Sequence, residues 1–203
     1  MSKSIAIITT STRTPRVGPH VSAVVKSLLD EPAKTNNITL SPVDLGEFKL
    51  PVYDEAVIPG MINPAQPDGP QYSNALSIAW SNEIKRHDGY VLVIPEYNYG
   101  LTGATKNAID YLMHEWKGKP VAIVSYGIQG GSFASEQAAH VLGKMGLRVA
   151  ETKPQLQFKG AQGPDLFGAM LKGELGAESE ELWRKEKADE ILKAFEEVRV
   201  LLA

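Results

Sequence analysis

The sequence predicts an α/β fold: a five-stranded parallel sheet, doubly wound, with helices on both faces. Two observations carry this. Ser4-Ile-Ala-Ile-Ile-Thr9, Tyr90-Val-Leu-Val-Ile94 and Pro120-Val-Ala-Ile-Val-Ser125 are unbroken apolar runs rich in β-branched residues, as expected of strands covered on both faces. Segments with helical spacing lie between them, and strand alternating with helix implies a parallel sheet.

Taken in order, the first strand is followed by a helix whose stripe is Val21, Val24, Val25 and Leu28. Ile38-Thr-Leu-Ser-Pro-Val-Asp44 is a weaker second strand. From Gly46 to Gln71 the chain is rich in proline and glycine, with Pro51, Pro59, Gly60, Pro64, Pro67, Gly69 and Pro70. A loop of that length in a compact domain is usually functional, and it is expected as a wall or lid beside the site. Leu76, Ala79, Trp80 and Ile84 make the next helical stripe, stopped by Arg86-His-Asp-Gly89. After the central strand a helix is expected over about Thr105 to Met113, and after the next strand another over about Phe133 to Lys144, ended by Gly146. Arg148-Val-Ala-Glu-Thr152 has the polar look of an edge strand. A second glycine-rich stretch, Gly160 to Gly176, leads to a C-terminal helix marked by Leu182, Ile191, Leu192, Phe195, Val198 and Leu202, expected to pack on the domain. One domain spanning 1–203 is the expectation, with a helical extension over about 155–203.

The 203 residues are 43% hydrophobic and 22% charged, with a formal charge of -3. That balance gives no basic footprint for nucleic acid or for a membrane surface. No apolar run reaches the roughly 18 residues of a membrane span, and Met1-Ser-Lys-Ser leads straight into a strand without a signal-peptide core, so a cytoplasmic protein is expected. The chain has no cysteine, which removes disulfides, thiolate nucleophiles and cysteine-held metal clusters. His20, His87, His114 and His140 show no ligand-like pairing and are read as surface or boundary residues; no metal site is expected.

Three strand ends carry the chemistry. Thr9-Thr-Ser-Thr-Arg-Thr-Pro-Arg-Val-Gly18 places backbone N–H groups, hydroxyls and two guanidiniums at a helix N-terminus, and no acid occurs between Ile5 and Ser27. Ser11, Arg13, Arg16, Val17 and Gly18 are therefore candidates for holding an anion. A helix cap with exposed arginines is the plainer alternative for this turn alone. Neither G-x-G-x-x-G nor G-x-x-x-x-G-K-[ST] is present, which argues against a dinucleotide fingerprint and a P-loop. Pro95-Glu-Tyr-Asn-Tyr-Gly100 offers Tyr97 and Tyr99 to a flat ligand and gives Asn98 a donor and an acceptor. Ser125-Tyr-Gly-Ile-Gln-Gly-Gly131 lets backbone approach a ligand closely and exposes N–H groups. Each turn alone could be a plain connection. Together they fit a planar heterocycle carrying one phosphate, and FMN matches.

At this point the chain resembles the NADPH-dependent FMN reductase family of flavodoxin-like quinone, chromate and azo reductases, over roughly Ile5 to Arg148. Pro95-Glu-Tyr-Asn98 followed by Gly103-Ala-Thr-Lys-Asn-Ala-Ile-Asp110 is similar to the family's signature; Ser11-x-Arg13-x-x-Arg16 is similar to its phosphate loop, and Tyr126-Gly-x-x-Gly-Gly131 to its ring-binding turn. Thr10 departs from the glycine often found before the serine, and the stretch beyond about Gln155 exceeds the family core. The resemblance implies FMN as cofactor, NADPH or NADH as cosubstrate, and a small-molecule acceptor such as a quinone, azo dye, chromate or ferric iron. It also implies a homodimer, with pairing of dimers into a tetramer left open. The cycle would be ping-pong, with no side chain as covalent catalyst. The cofactor-binding set is then Ser11, Arg13, Arg16, Val17, Gly18, Pro95, Glu96, Tyr97, Asn98, Tyr99, Ser125, Tyr126, Gly127, Gln129, Gly130 and Gly131. The alternatives are a flavodoxin-type electron carrier and a flavin-dependent interaction or stress-response protein.

Overall fold

In the computed structural model, which describes residues 2–202, Met1 lies outside the described residues. In chain order the strands are β1 (Lys3–Thr9), β2 (Ile38–Asp44), β3 (Gly89–Tyr97), β4 (Gly100–Leu101), β5 (Pro120–Gly127), β6 (Arg148–Val149) and β7 (Gln155–Gln157). The helices are α1 (Gly18–Thr35), α2 (Leu45–Phe48), α3 (Ala75–Lys85), α4 (Gly103–Asp110), α5 (Ser132–Lys144), α6 (Pro164–Leu171), α7 (Ala177–Glu186) and α8 (Ala188–Leu201).

The alternation within β1 explains the two-sided core. Ile5 and Ile7 join one cluster with Val21, Val25 and Leu29 of α1, Trp183 of α7 and Phe195 of α8. Ala6 and Ile8 join the opposite cluster with Trp80 and Ile84 of α3, Ile109 of α4 and Leu142 of α5. A strand buried on both faces has no polar side to show, hence the continuous apolar runs. The strand order is β2-β1-β3-β5-β6, parallel throughout, with β4 antiparallel to β3 and β7 parallel to β5. The chain leaves β1 for one side of the sheet and returns to β3 on the other. A crevice therefore opens at the carboxyl ends of β1 and β3, where doubly wound sheets bind ligands. Register aligns those ends, pairing Thr9 with Val93 and Pro95 with Tyr126.

Several expectations are corrected. The last strand does not run from Arg148 to Thr152. It stops at Val149 and resumes as β7 on the same edge of β5, because Pro154 lacks an N–H and lends only its carbonyl, to Ser125 N at 3.0 Å. In α3 the buried face is Ser77, Trp80, Ser81 and Ile84, while Leu76 and Ala79 are exposed. His87 is no surface residue: it is 3% exposed, with Ser4 Oγ 2.8 Å from Nδ1 and Glu83 Oε1 3.1 Å from Nε2. The stretch 160–176 contains a helix, α6, and two more helices follow it in place of one.

The proline-rich segment after α2 does not border the crevice between β1 and β3. Phe48 packs edge-on against Trp80 with ring centroids 4.9 Å apart, and Tyr53 against Tyr111 at 5.0 Å. Asn107 fastens it further, receiving Tyr53 N and donating to Pro51 O at 2.7 Å. Its own aromatics and their α3–α4 partners hold it on the outer face. Among the described residues no helix is long and apolar enough to cross a membrane.

Candidate functional site

The turns after β1, β3 and β5 meet around a cavity of about 260 Å³. Of the residues expected from sequence, Ser11, Arg13, Arg16, Val17, Pro95, Glu96, Tyr97, Tyr126 and Gly127 line it. Gly18, Asn98, Tyr99, Ser125, Gln129, Gly130 and Gly131 lie in the same three turns without lining it. No residue between 46 and 71 contributes, which overturns the expected lid.

The first turn has the chemistry of an anion cradle. The N–H groups of Thr12, Arg13, Thr14, Arg16 and Val17 donate to no other group among the described residues. They stand just ahead of the N-terminus of α1, whose dipole favours negative charge. Ser11 is buried and its Oγ has no hydrogen-bond partner among the described residues. Gly18 must lack a side chain, because a Cβ there would fall 2.0 Å from Ser11 Oγ and 2.9 Å from Tyr126 Oη. Burial pushes the Tyr126 phenol well above its ordinary range, so it stays a proton donor.

The two arginines differ. Arg13 is exposed; its Nε donates to Tyr97 Oη and its Nη2 to Ala169 O, both at 3.2 Å. Arg16 is turned to Asp44 at the end of β2, donating from Nη1 to Oδ1 at 2.7 Å and from Nη2 to Oδ2 at 2.6 Å, and from Nη1 to Ser11 O at 2.7 Å. That bidentate bond raises the Arg16 pKa against the opposing effect of burial. The segment from Ile5 to Ser27 holds no acid, but the fold brings one to it. Arg16 thus locks the turn's backbone, and Arg13 is the guanidinium facing the cavity with no carboxylate partner among the described residues.

Thr10, the departure from the resembled pattern, is buried and tied down. Its Oγ1 donates to Val93 O at 3.2 Å and accepts from Thr105 Oγ1 at 2.8 Å, which in turn lies 2.8 Å from Thr102 Oγ1. This chain of hydroxyls joins the turn after β1 to the head of α4, fixing the first turn against the second.

The second turn is a hairpin between β3 and β4. Asn98 and Tyr99 have φ of 50° and 60°, the pair of positive values that a two-residue hairpin turn requires. Asparagine accepts this readily and tyrosine does not, at a cost of about 1–2 kcal/mol. Tyr99 packs edge-on against Phe133, 5.7 Å between ring centroids. Glu96 accepts from Ala134 N at 3.0 Å, capping the first turn of α5 with a carboxylate.

In the third turn Ser125 Oγ donates to Gly130 O at 2.7 Å, and Gly130 N to Gly127 O at 3.2 Å. Gly131 has φ of 76°, and a Cβ on it would come within 2.9 Å of Ser125 Cβ. The bend leaves the N–H groups of Ile128 and Gln129 without partners among the described residues, as a ring-edge binder needs.

Sequence reasoning missed the cavity's other wall: Ile128, Phe158, Leu166, Ala169, Met170 and Leu171. The helix itself could have been read from Gly163 and Pro164 at its start, Asp165 in its first turn and the apolar run after it. Its place over the site could not.

A sequence model described as NADPH-dependent FMN reductase matches residues 4–159. An NAD(P)H-dependent FMN reductase from Nectria sp is 45% identical over 200 residues, covering 98% of this chain and 96% of that protein. One from Saccharomyces cerevisiae is 37% identical over 149 residues, covering 71% and 76%. Among solved structures, a flavoenzyme NAD(P)H:(acceptor) oxidoreductase from Paracoccus denitrificans superposes with a TM-score of 0.63 at 20% identity, covering 96% of this chain and 97% of that one. That last likeness speaks for the fold alone.

Proposed function

Because the chain belongs to the NADPH-dependent FMN reductase family, we propose that it is a cytosolic FMN-dependent NAD(P)H oxidoreductase that reduces quinones or similar small acceptors. One observation carries the reading: three turns from distant parts of the chain converge on a single cavity with a surplus of unpaired donors and an unpaired hydroxyl. These are the groups that a monoester phosphate and the polar edge of a flat ring require. The residues present fit FMN.

In this reading the N–H groups of Thr12, Arg13, Thr14, Arg16 and Val17, with Ser11 Oγ and the Arg13 guanidinium, would hold the phosphate, and Arg16 keeps their backbone in place through Asp44. Ile128 and Gln129 N–H donate to the ring's polar edge, where negative charge gathers on reduction. Asn98, held at the hairpin turn beside the cavity, would steady the ring's edge. FMN, when bound, supplies the hydride-accepting and electron-delivering chemistry, so no side chain need act as a nucleophile. Tyr97 and Tyr99 border the open side, where nicotinamide and acceptor take turns. The balance is one hydride from NAD(P)H and one proton from solvent, converting a quinone to a hydroquinone. The chain works as one flavin-binding domain and pairs as a homodimer around that open side.

The test is the absorption spectrum of the purified protein together with steady-state turnover of NADPH and NADH with a soluble quinone. A yellow protein that releases FMN and gives parallel double-reciprocal lines is expected. A colourless protein that takes up no FMN overturns the reading. FMN-loaded protein that fails to oxidise NAD(P)H would be an electron carrier instead.

A further inference from the structure

Helix α6 and the turn after it belong to a part of the chain beyond the family match, yet they rest on the anion cradle. Arg13 Nη2 donates to Ala169 O at 3.2 Å. That carbonyl lies in the last turn of α6, where an ended helix leaves acceptors unfilled and welcomes a cation. Two residues beyond the helix, Gly173 has φ of 72°, and a Cβ on it would come 2.6 Å from Arg16 N and 2.9 Å from Arg16 O. Its backbone therefore lies directly against that of Arg16, closer than any side chain permits. The segment is anchored in the core: Leu166 and Ala169, part of the cavity wall, also belong to the buried cluster on the α1 side, and Asp165 Oδ2 accepts from Ser179 N at 2.7 Å. On the near side Met170 and Leu171 line the cavity.

We propose that α6 and Gly173 form a clasp over the phosphate end of bound FMN, holding the flavin as a resident prosthetic group, so that electrons leave on the small acceptor and not on a released flavin. This rests on the function proposed above. A phosphate held by residues 11–18 alone would be open to water on the tail's side and could leave that way. With the tail seated, exit requires breaking the Arg13–Ala169 bond and lifting Gly173 from Arg16. Opening of the tail then limits both entry and exit of FMN, as lids limit ligand release elsewhere. The Tyr97–Arg13–Ala169 link ties the second turn to the same clasp.

Gly173→Ala tests it. A Cβ at a left-handed position, placed against the Arg16 backbone, must displace the turn. FMN release from the holoprotein, followed by the gain in flavin fluorescence on dilution, is expected to speed up roughly tenfold or more, with weaker equilibrium binding. In the wild type, which needs no substitution to fold, FMN is expected to slow proteolytic cleavage within 160–176. Unchanged release in the variant, or cleavage indifferent to FMN, overturns the clasp. So does a variant that binds FMN faster and more tightly with release unchanged, since the tail would then be an obstruction. Wild-type protein that takes up no FMN at all overturns the cofactor assignment and the clasp with it.

Discussion

At the scale of single residues, two arginines three positions apart have become different devices. From sequence, Arg13 and Arg16 are equivalent cations in one turn. The difference comes from Asp44, 28 residues away, which reaches Arg16 only because β2 lies beside β1. No local pattern encodes that pairing, so the anion pocket was legible and the division of labour was not. Arg13→Ala should weaken FMN roughly ten- to a hundredfold, the worth of a charge-assisted bond of about 1.5–3 kcal/mol, and leave thermal stability nearly unchanged. Arg16→Ala should lower the Tm as well, because Asp44 is left half-buried with, among the described residues, only Gly46 N as partner, at 2.9 Å. Flavin-fluorescence titration beside thermal melts separates them. Equal losses of affinity with equal melts would show that Arg16 holds the phosphate directly and that its bond to Asp44 opens to do so.

At the scale of elements, what one helix or strand says about itself was readable, and what its neighbours do to it was not. β1, β3 and β5 announced themselves as apolar runs; the break between β6 and β7 came from Pro154 meeting the ladder of a partner strand. The segment between α2 and α3 was recognisable as a long special loop, but its address depended on aromatics finding partners on α3 and α4. Glu55 pins that loop to the head of α3: it accepts Ser73 Oγ at 2.6 Å, Ser73 N at 3.1 Å and Asn74 N at 2.9 Å. Burial alone would raise its pKa; the hydrogen bonds led by Ser73 outweigh that and hold it at about 2. A depressed carboxylate stabilises the fold above its ordinary pKa of 4.5 and loses that contribution as pH falls toward 2. Glu55→Ala should therefore destabilise the protein at neutral pH and cease to matter near pH 2. It should also speed proteolysis within 56–70 while leaving FMN affinity unchanged, since this loop does not touch the cavity. A loss of flavin on this substitution would return the loop to the site.

At the scale of the whole molecule, exposed apolar side chains fall in more than one place, with Val52, Ile58, Met61, Leu76 and Ile78 along the outer loop and into α3, and one group of them stands at the mouth of the cavity. Tyr99 is 73% exposed and Leu171 72%, and Tyr97, Ile128, Phe133 and Met170 stand with them around the opening or in the turns that frame it. Isolated apolar side chains on a surface need no explanation, but a group of them at one opening marks a binding face. A net charge of -3 over 203 residues opposes self-association only weakly. A two-fold pairing that lays this rim against its copy would bury the group and complete the outer wall of each site, which is the commonest closed symmetry. Light scattering on the eluting protein should therefore give twice the chain mass at micromolar concentration. Phe133→Glu is the discriminating variant: Phe133 is the second residue of α5, where a carboxylate suits the helix dipole and the helix should survive. It packs on Tyr99, and a charge there must be desolvated without a partner when the rim closes. The variant should be monomeric, with an unchanged far-ultraviolet spectrum and weaker FMN retention. A wild-type monomer, or a variant that still pairs, would leave the rim to the acceptor alone and move any contact between copies to another face.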